Sequence, residues 1–342
     1  MNNALNVLPY QGQLPHIDAA PLVAQAGHAL IGRIRMGQGA WLGAGTTIRA
    51  DGHDVTIGEH FSMGRASTIH IAHDIYPTVV GQRVTVGANA VVHACTLHDD
   101  VVVEDDVVIL DGSTIEAGVV LEAGSIVYPR STLQAGTLYA GRPAKPVRPL
   151  AEGEAAQRAQ AQAERNRAQS DLWQSQPTVT DKAATSFVAQ TAQVTGHVQM
   201  AEDASIWYGC VLDAGDGTIA LGQACNVQDG SVLHNRQGTL TIGAQSTIGH
   251  NVTLESCQVG ARCLVGMGSR IAAGTVIGDD VFVAAGSTTE PGQVLEGGSF
   301  WGGSPARRMG TVDDAKRNIV QMTARVYAMY AQAMLHPEQP GA

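Results

Sequence analysis

A period of six residues runs through most of the chain and constrains its fold more than any other feature. An α-helix would scatter such a set around its axis, because six residues rotate it by about 240° net at about 3.6 residues per turn. Short strands interrupted by corners keep every sixth residue inside, and this is how hexapeptide β-helices are built, with about 18 residues in each three-sided coil. The spacing therefore predicts an all-β solenoid. Its aliphatic positions are Leu97, Val103, Ile109, Ile115, Leu121, Val127 and Leu133, and later Val259, Val265, Ile271, Ile277 and Val283.

The chain also contains the same pattern twice. The early set Leu30, Met36, Leu42, Ile48 recurs 164 positions later as Val194, Met200, Ile206, Leu212. Each copy is followed by a stretch of helical composition, at 151–173 and 312–335. We therefore predict two tandem left-handed parallel β-helices, each followed by an α-helix, with domains at 1–173 and 174–342. The turn-rich stretch 174–181 is the expected boundary.

Composition excludes several classes of function. The formal net charge is −10 and the 21 basic residues are scattered, so we expect no nucleic-acid partner. Five cysteines without a CxxC motif indicate neither a disulfide framework nor a thiolate zinc site. No stretch resembles a secretion signal or approaches about 18 consecutive apolar residues, so we expect a cytoplasmic protein without a membrane partner.

Two histidines stand at matching places in successive coils. His70 follows Ile69 and His93 follows Val92, and the separation of 23 positions equals one coil plus a loop of about five residues. The two imidazoles are thus expected on adjacent rungs, about 4.8 Å apart at the backbone. Such a pair can bind one divalent ion, but a zinc site needs a third ligand. In the second half, His234 has the place of His70, whereas His250 lies around a corner and should face a neighbouring solenoid.

Motifs in the second half give the chain a family resemblance. The segments ASIWYGCVLDAGD, NVQDGSVLH and IGHNVTLESC resemble motifs of the γ-class carbonic anhydrases. In that family, three histidines bind zinc at a subunit interface: two stacked histidines from one subunit and the IGH-type histidine from its neighbour. The resemblance implies hydration of CO2 by a metal-bound hydroxide, a small-molecule substrate (CO2 or bicarbonate), and a homo-oligomer based on a trimer.

The two halves have lost different parts of this motif set. The first half has GAN, with Ala88, where the second has GHN with His250, while the second has Glu255 at the place of the second stacked histidine. The resemblance therefore implies a composite metal site of His70 and His93 from half one with His250 from half two. Zn²⁺ is the expected ion, and Fe²⁺ or Co²⁺ are alternatives.

The surrounding motif residues divide in the same way. Half one keeps Arg49 and Asp51, which we interpret as an ion pair at an interface, but has SMGR where half two keeps NVQD. We expect Gln228 and Asn226 of that motif to orient the reacting water. His73 is the candidate for proton transfer, with Asp74 and His53 as alternatives on nearby loops.

Other functions remain open at this point. A hexapeptide acyltransferase would share the solenoid but would need no metal, and an inactive scaffold retained after duplication would bind neither metal nor substrate. A second metal site formed by His234, Glu255 and the His250 of another chain is a further alternative. Cys95 and Cys257, at matching positions, are interpreted as small buried packing residues.

Overall fold

The computed structural model of the protein describes residues 5–18, 22–169, 179 and 181–337. The chain divides into two compact units, the first formed by residues up to 174 and the second by residues 175–336. Most of the predicted boundary stretch, 174–181, lies outside the described residues, so the domain limits stay a prediction. Among the described residues, no helix is both long and apolar enough to cross a membrane.

Each unit is a left-handed parallel β-helix of short strands followed by one α-helix. The strands of the first unit are β1 Val7–Leu8, β2 His16–Ile17, β3 Val23–Ala24, β4 Ala29–Met36, β5 Trp41–Leu42, β6 Thr47–Ile57, β7 Ser62–Met63, β8 Thr68–His70, β9 Thr78–Val80, β10 Thr85–Val86, β11 Val91–His93, β12 Thr96–Leu97, β13 Val102–Val103, β14 Val108–Ile109, β15 Thr114–Ile115, β16 Val120–Leu121, β17 Ile126–Val127, β18 Thr132–Leu133, β19 Thr137–Ala140 and β20 Lys145–Pro149, and α1 is Glu154–Ala168.

The second unit repeats this order. Its strands are β21 Asp181–Lys182, β22 Phe187–Val188, β23 Gln193–Met200, β24 Ser205–Ile206, β25 Val211–Leu221, β26 Asn226–Val227, β27 Val232–His234, β28 Thr239–Ile242, β29 Thr247–Ile248, β30 Thr253–Glu255, β31 Gln258–Val259, β32 Leu264–Val265, β33 Arg270–Ile271, β34 Val276–Ile277, β35 Phe282–Val283, β36 Val294–Leu295, β37 Ser299–Gly302 and β38 Arg307–Thr311, and α2 is Asp314–Leu335.

The strand register confirms the six-residue period. Val103 pairs with Leu121, and Ile109 with Val127, so equivalent residues of successive coils are eighteen positions apart. The aliphatic residue of every predicted hexad belongs to the buried core of its unit. Because this residue is the second of a two-residue strand, its neighbours form the corner and its side chain fills the narrow interior.

The corners explain the recurring Gly and Asp residues. Three positions before most of the core aliphatic residues, the backbone adopts positive φ, as at Asp106 (59°) before Ile109 and Gly112 (69°) before Ile115. Glycine adopts this left-handed conformation without strain, and Asn and Asp tolerate it better than other residues.

In a few coils a long strand connects two faces: β4, β6, β23 and β25 have eight to eleven residues. β6 pairs with β8 through Ile48 and Ile69, and then, beyond a bend, with β9 through Ile57 and Val80. The bend between these two pairings holds Arg49, Ala50 and Asp51, next to the strand that carries His70.

Both helices lie within the stretches of helical composition predicted from the sequence, 151–173 and 312–335. α2 begins at Asp314 because the Asp313 side chain accepts a hydrogen bond from the Lys316 amide and so caps the helix. Its buried face consists of Val320, Ala324, Tyr327, Tyr330 and Ala331. The apolar residues whose spacing predicted the helix are on another side, and three are substantially exposed: Ile319, Met322 and Met329.

Candidate metal centre

The stacked histidines of the first unit form the centre of the candidate site. β8 and β11 pair in parallel with His93 directly opposite His70, as the 23-residue spacing predicts. Both side chains are buried. His70 Nδ1 faces His93 Nε2 at 3.3 Å, and the ring centroids are 5.3 Å apart.

A carboxylate holds the opposite nitrogen of each ring. His70 Nε2 lies 2.9 Å from Asp51 Oδ1, and His93 Nδ1 lies 2.6 Å from Asp111 Oδ1. An ionised carboxylate only accepts hydrogen bonds, so each imidazole donates its N–H there. The two nitrogens that face each other are then both lone-pair acceptors. Two acceptors at 3.3 Å repel, and a cation or proton between them removes the repulsion.

Arg49 completes this arrangement on the Asp51 side. Its guanidinium is bound to Asp51 Oδ2, and neither side chain is exposed to solvent. The Arg49–Asp51 pair expected from the sequence therefore forms within the first unit. Its use of the second Asp51 oxygen to hold His70 was not anticipated, and neither was the Asp111 contact with His93.

The second unit has one histidine and two carboxylates where the first unit has its stacked histidines. Asp213, His234 and Glu255 pair in register on three successive strands. His234 and Glu255 are exposed. This face presents one imidazole between two carboxylates, as the substitution of the second histidine by Glu255 predicts.

His250 is held between two polar partners of the second unit. It follows β29 and is fully buried, with Nδ1 3.2 Å from Asp229 Oδ2 and Nε2 3.3 Å from the Tyr327 hydroxyl. Tyr327 comes from α2, where its ring packs edge-on against Trp207 with centroids 5.2 Å apart. Sequence reasoning missed Tyr327. Its only signal was its place at helical spacing from Val320, Ala324 and Ala331.

The two amide residues of the candidate water-binding motif are also in contact. Gln228 Nε2 donates to Asn226 Oδ1 at 3.2 Å, and Asn226 Nδ2 donates to Thr247 Oγ1 at 2.9 Å. Both side chains are buried. Asn226 and Gln228 therefore form one hydrogen-bonded pair, and the residue that follows them, Asp229, is the carboxylate beside His250.

Close packing against the next coil and against helix α1 accompanies the SMGR segment of the first half. Ser62 and Gly64 are the counterparts of Asn226 and Gln228. Asn166 of α1 donates to the Val86 carbonyl at 2.9 Å, and its Oδ1 would lie only 2.7 Å from a Cβ placed on Gly64. A glutamine at position 64 would collide with the backbone of the next coil, since its Cβ would lie 2.5 Å from the Gly87 carbonyl carbon and 2.6 Å from the Ala88 nitrogen, and also with Asn166 of α1.

Two of the proton-transfer candidates, His73 and Asp74, lie on a loop as predicted, whereas His53 lies within strand β6 and not on a loop. His73 is in the loop between β8 and β9, partly exposed, with Nε2 3.4 Å from Asp74 Oδ2. His53 Nδ1 accepts a hydrogen bond from the Asp54 amide at 2.8 Å.

This chain matches two families of hexapeptide repeats and is similar to several curated proteins. The pattern described as "Bacterial transferase hexapeptide (six repeats)" matches residues 256–290, and "Hexapeptide repeat of succinyl-transferase" matches 77–111 and 240–269. "Gamma carbonic anhydrase 1, mitochondrial" of Arabidopsis thaliana is 35% identical over 162 residues, which cover 45% of this chain and 58% of that protein. "Gamma carbonic anhydrase 3, mitochondrial" of the same plant is 31% identical over 179 residues, covering 50% of this chain and 68% of that protein.

A solved structure resembles nearly the whole chain. An acetyltransferase-like protein from Desulfovibrio desulfuricans G20 superposes with a TM-score of 0.58, covering 93% of this chain and 80% of that one. At 13% identity, this similarity shows the fold alone.

Proposed function

Because this chain belongs to the γ-class carbonic anhydrase family of hexapeptide-repeat proteins, we propose that it hydrates CO2 at a metal site built around His70 and His93. The observation that carries the proposal is the pair of imidazole nitrogens facing each other at 3.3 Å. Their carboxylate partners set the tautomer of each ring so that both lone pairs point to one place.

The donor set fits a divalent cation. Neutral imidazoles whose other nitrogen is bound to a carboxylate are the usual ligands of catalytic zinc, and the carboxylate makes the ligand more basic. His250 of a second half, from the same or a neighbouring chain, is the third ligand that we propose. Its Nδ1 lies 3.2 Å from Asp229 Oδ2, and its Nε2 would bind the ion in exchange for its present contact with the Tyr327 hydroxyl at 3.3 Å. Zn²⁺ suits three imidazoles, and Fe²⁺ and Co²⁺ accept the same ligands.

When bound, the ion supplies Lewis-acid chemistry that lowers the pKa of a coordinated water toward about 7. The residues of the chain then have separate roles. Gln228 and Asn226, fixed to each other, offer amide groups that orient the attacking water. His73 takes up the released proton and passes it to solvent, because its side chain is partly exposed and lies beside the exposed Asp74 carboxylate.

Metal analysis of matched variants tests the proposal. The purified protein should retain zinc, iron or cobalt after dialysis against a weak chelator, and should hydrate CO2 in a stopped-flow assay. His93→Ala and His250→Ala should each lose the metal and the activity. His234→Ala, the matched control on an exposed face, should keep both, because its strand partner is Glu255.

Two outcomes contradict the proposal. Protein without any of the three metals above background would exclude a metal-dependent hydratase, and transfer from an acyl-CoA in that metal-free state would support the acyltransferase alternative. Equal metal loss in the His93, His250 and His234 variants would instead support a site formed by His234, Glu255 and His250.

A further inference from the structure

The second unit carries an outward-facing row of acidic residues that has no part in the proposed reaction. Asp213, His234 and Glu255 pair in register on β25, β27 and β30, and each follows a buried leucine, so the three side chains point away from the core. His234 and Glu255 are exposed, and Asp213 is partly exposed. We call this row the acidic column. Adjacent strands lie about 4.8 Å apart, so the column offers two carboxylates on either side of one imidazole.

The first unit carries two exposed arginines near the end of helix α1, which we call the basic face: Arg65 and Arg165. Arg65 Nε donates to Gln169 Oε1 at 3.3 Å, and the backbone amide of Gln169 donates to the Arg165 carbonyl at 3.2 Å. The Arg165 guanidinium is bound to the side-chain oxygen of Gln162. Side-chain amides are neutral, so these contacts orient the two guanidinium groups without cancelling their charge.

The basic face stands where the second unit has its candidate metal ligand. Arg65 has the place of Asp229, and Ala88 has the place of His250. In the second unit, these two residues lie 3.2 Å apart as carboxylate and imidazole. The first unit has therefore lost a ligand and an anion on this face, and it has gained a cation.

The acidic column differs from its counterpart in the opposite electrical sense. Glu255 has the place of His93, and Asp213 has the place of Arg49. The second unit has therefore lost a ligand and a cation along this column, and it has gained two anions. The two surfaces that the proposed metal site does not use are thus complementary in charge.

Charge also distinguishes between the possible partners of the acidic column. The face around His250 carries the Asp229 carboxylate, and like charges brought together at an interface are strongly unfavourable. The basic face presents guanidinium groups instead, whose planar pairs of N–H donors match carboxylates. Because one chain carries both the acidic column and the basic face, a second copy of the chain is the partner that fits.

We propose that the acidic column of one copy docks on the basic face of a second copy. Glu255 and Asp213 form the anionic side of this contact, and Arg65 and Arg165 form the cationic side. The inference takes from the proposed function only that a column of one half meets the opposing face of another half. The charges themselves are a property of the metal-free chain.

The test is a charge exchange in the full chain, measured by sedimentation velocity after metal has been removed with a chelator. The wild type should self-associate. Glu255→Arg and Arg65→Glu should each weaken self-association about tenfold or more, because each places like charges opposite one another. The double variant restores the attraction with the signs exchanged and should recover most of the lost affinity.

Matched controls reverse charges elsewhere on the same units. Glu296→Arg and Arg130→Glu change exposed residues outside the acidic column and the basic face, and both should associate like the wild type. Salt provides a further measurement on the unaltered chain. Raising NaCl from about 0.05 M to about 0.5 M should weaken self-association several-fold, since ions screen exposed charge pairs.

Several results would overturn the inference. These are a monomeric wild type at low salt, single variants that associate as well as the wild type, a double variant no better than the single ones, and controls that lose as much affinity as the test variants. If a reversed variant does not accumulate as folded protein, the salt dependence of the wild type decides, and association insensitive to salt overturns the inference.

The outcomes also separate this inference from the proposed function. Charge-dependent association of a protein that never binds metal keeps the docking contact and overturns the hydratase. A protein that binds metal and hydrates CO2, but whose association ignores both charge reversals, keeps the hydratase and overturns the docking contact.

Discussion

Single aliphatic residues at the hexad positions control the stability of each β-helix. Ile109 is completely buried in the core of the first unit, between Val92 and Val127 of the adjacent coils. Ile109→Ala should lower the free energy of unfolding by about 2–5 kcal/mol, because it leaves a cavity that the narrow core cannot close. Urea denaturation measures the loss. Ile75→Ala, at a 55% exposed loop position, should change stability by less than about 0.5 kcal/mol. Equal effects would contradict the assigned core.

The cysteines provide a second test at the same scale. All five are free and buried, as predicted for Cys95 and Cys257. Burial raises the pKa of Cys257 to about 12 and that of Cys263 to about 11, so almost no thiolate exists at pH 8. The native protein should react with a thiol reagent negligibly, and the denatured protein should show five thiols. Rapid native labelling would contradict this packing.

The sequence predicted the stacked histidines His70 and His93, but it did not predict the carboxylates that form hydrogen bonds with them. The His70–His93 register follows from counting positions, because coil length and loop length add. The contact between Asp51 and His70 depends on how β6 bends between its two pairings, and a linear pattern does not contain that angle. Asp111 and Tyr327 are likewise ordinary residues in the sequence and become specific only through their neighbours.

Among the secondary-structure elements, α2 has an acid-sensitive start. The Lys316 ammonium and then the Lys316 amide lower the pKa of the Asp313 carboxyl. A carboxyl with a lowered folded pKa stabilises the fold above its unfolded pKa, about 3.8, and the contribution is lost as pH falls through the folded value. Hydrogen exchange of the Lys316 amide should therefore lose protection below about pH 4.

Two variants check this assignment. Asp313→Asn keeps an oxygen acceptor for the amide and should remove the pH dependence while retaining protection. Asp314→Asn is the matched control, because Asp314 pairs with the half-exposed Arg317 and is not the residue that caps the helix. A pH dependence that persists in Asp313→Asn and disappears in Asp314→Asn would contradict the cap.

The sequence predicted that α2 is a helix, but it did not predict which face of the helix is buried. Periodicity alone identified the helix, since Ile319, Met322, Val326 and Met329 are at helical spacing. The packed face instead combines small residues with Tyr327 and Tyr330, because Trp207 offers an aromatic surface there. Hydrophobicity ranks methionine and isoleucine above tyrosine, whereas shape and a hydroxyl partner favour tyrosine.

For the molecule as a whole, the proposed division of ligands between halves can be tested by separating them. A polypeptide of residues 1–173 contains His70 and His93 but not His250. It should bind Zn²⁺ far more weakly than the full chain, since two imidazoles leave the site incomplete. Ala88→His in this polypeptide restores the third histidine and should recover metal binding through self-association. Equilibrium dialysis and sedimentation measure both effects.

The matched control is Ala88→Gln, which adds a polar side chain of similar size without an imidazole. It should not recover metal binding. Activity need not return with Ala88→His, because Ser62 and Gly64 still stand where half two has Asn226 and Gln228. Tight binding by the unmodified polypeptide would mean that His250 is not a ligand.

The eighteen-residue register has a mechanical consequence. In a parallel β-helix, the hydrogen bonds between coils are directed along the solenoid axis, as in the bond from the Val102 amide to the Val119 carbonyl. A force applied along that axis therefore loads the coils in series, and the outermost coil peels away before the next one carries the load. Each coil of eighteen residues releases up to about 60 Å of chain. Under tension, each half would lengthen in regular steps, and its coil number could be read from the extension trace.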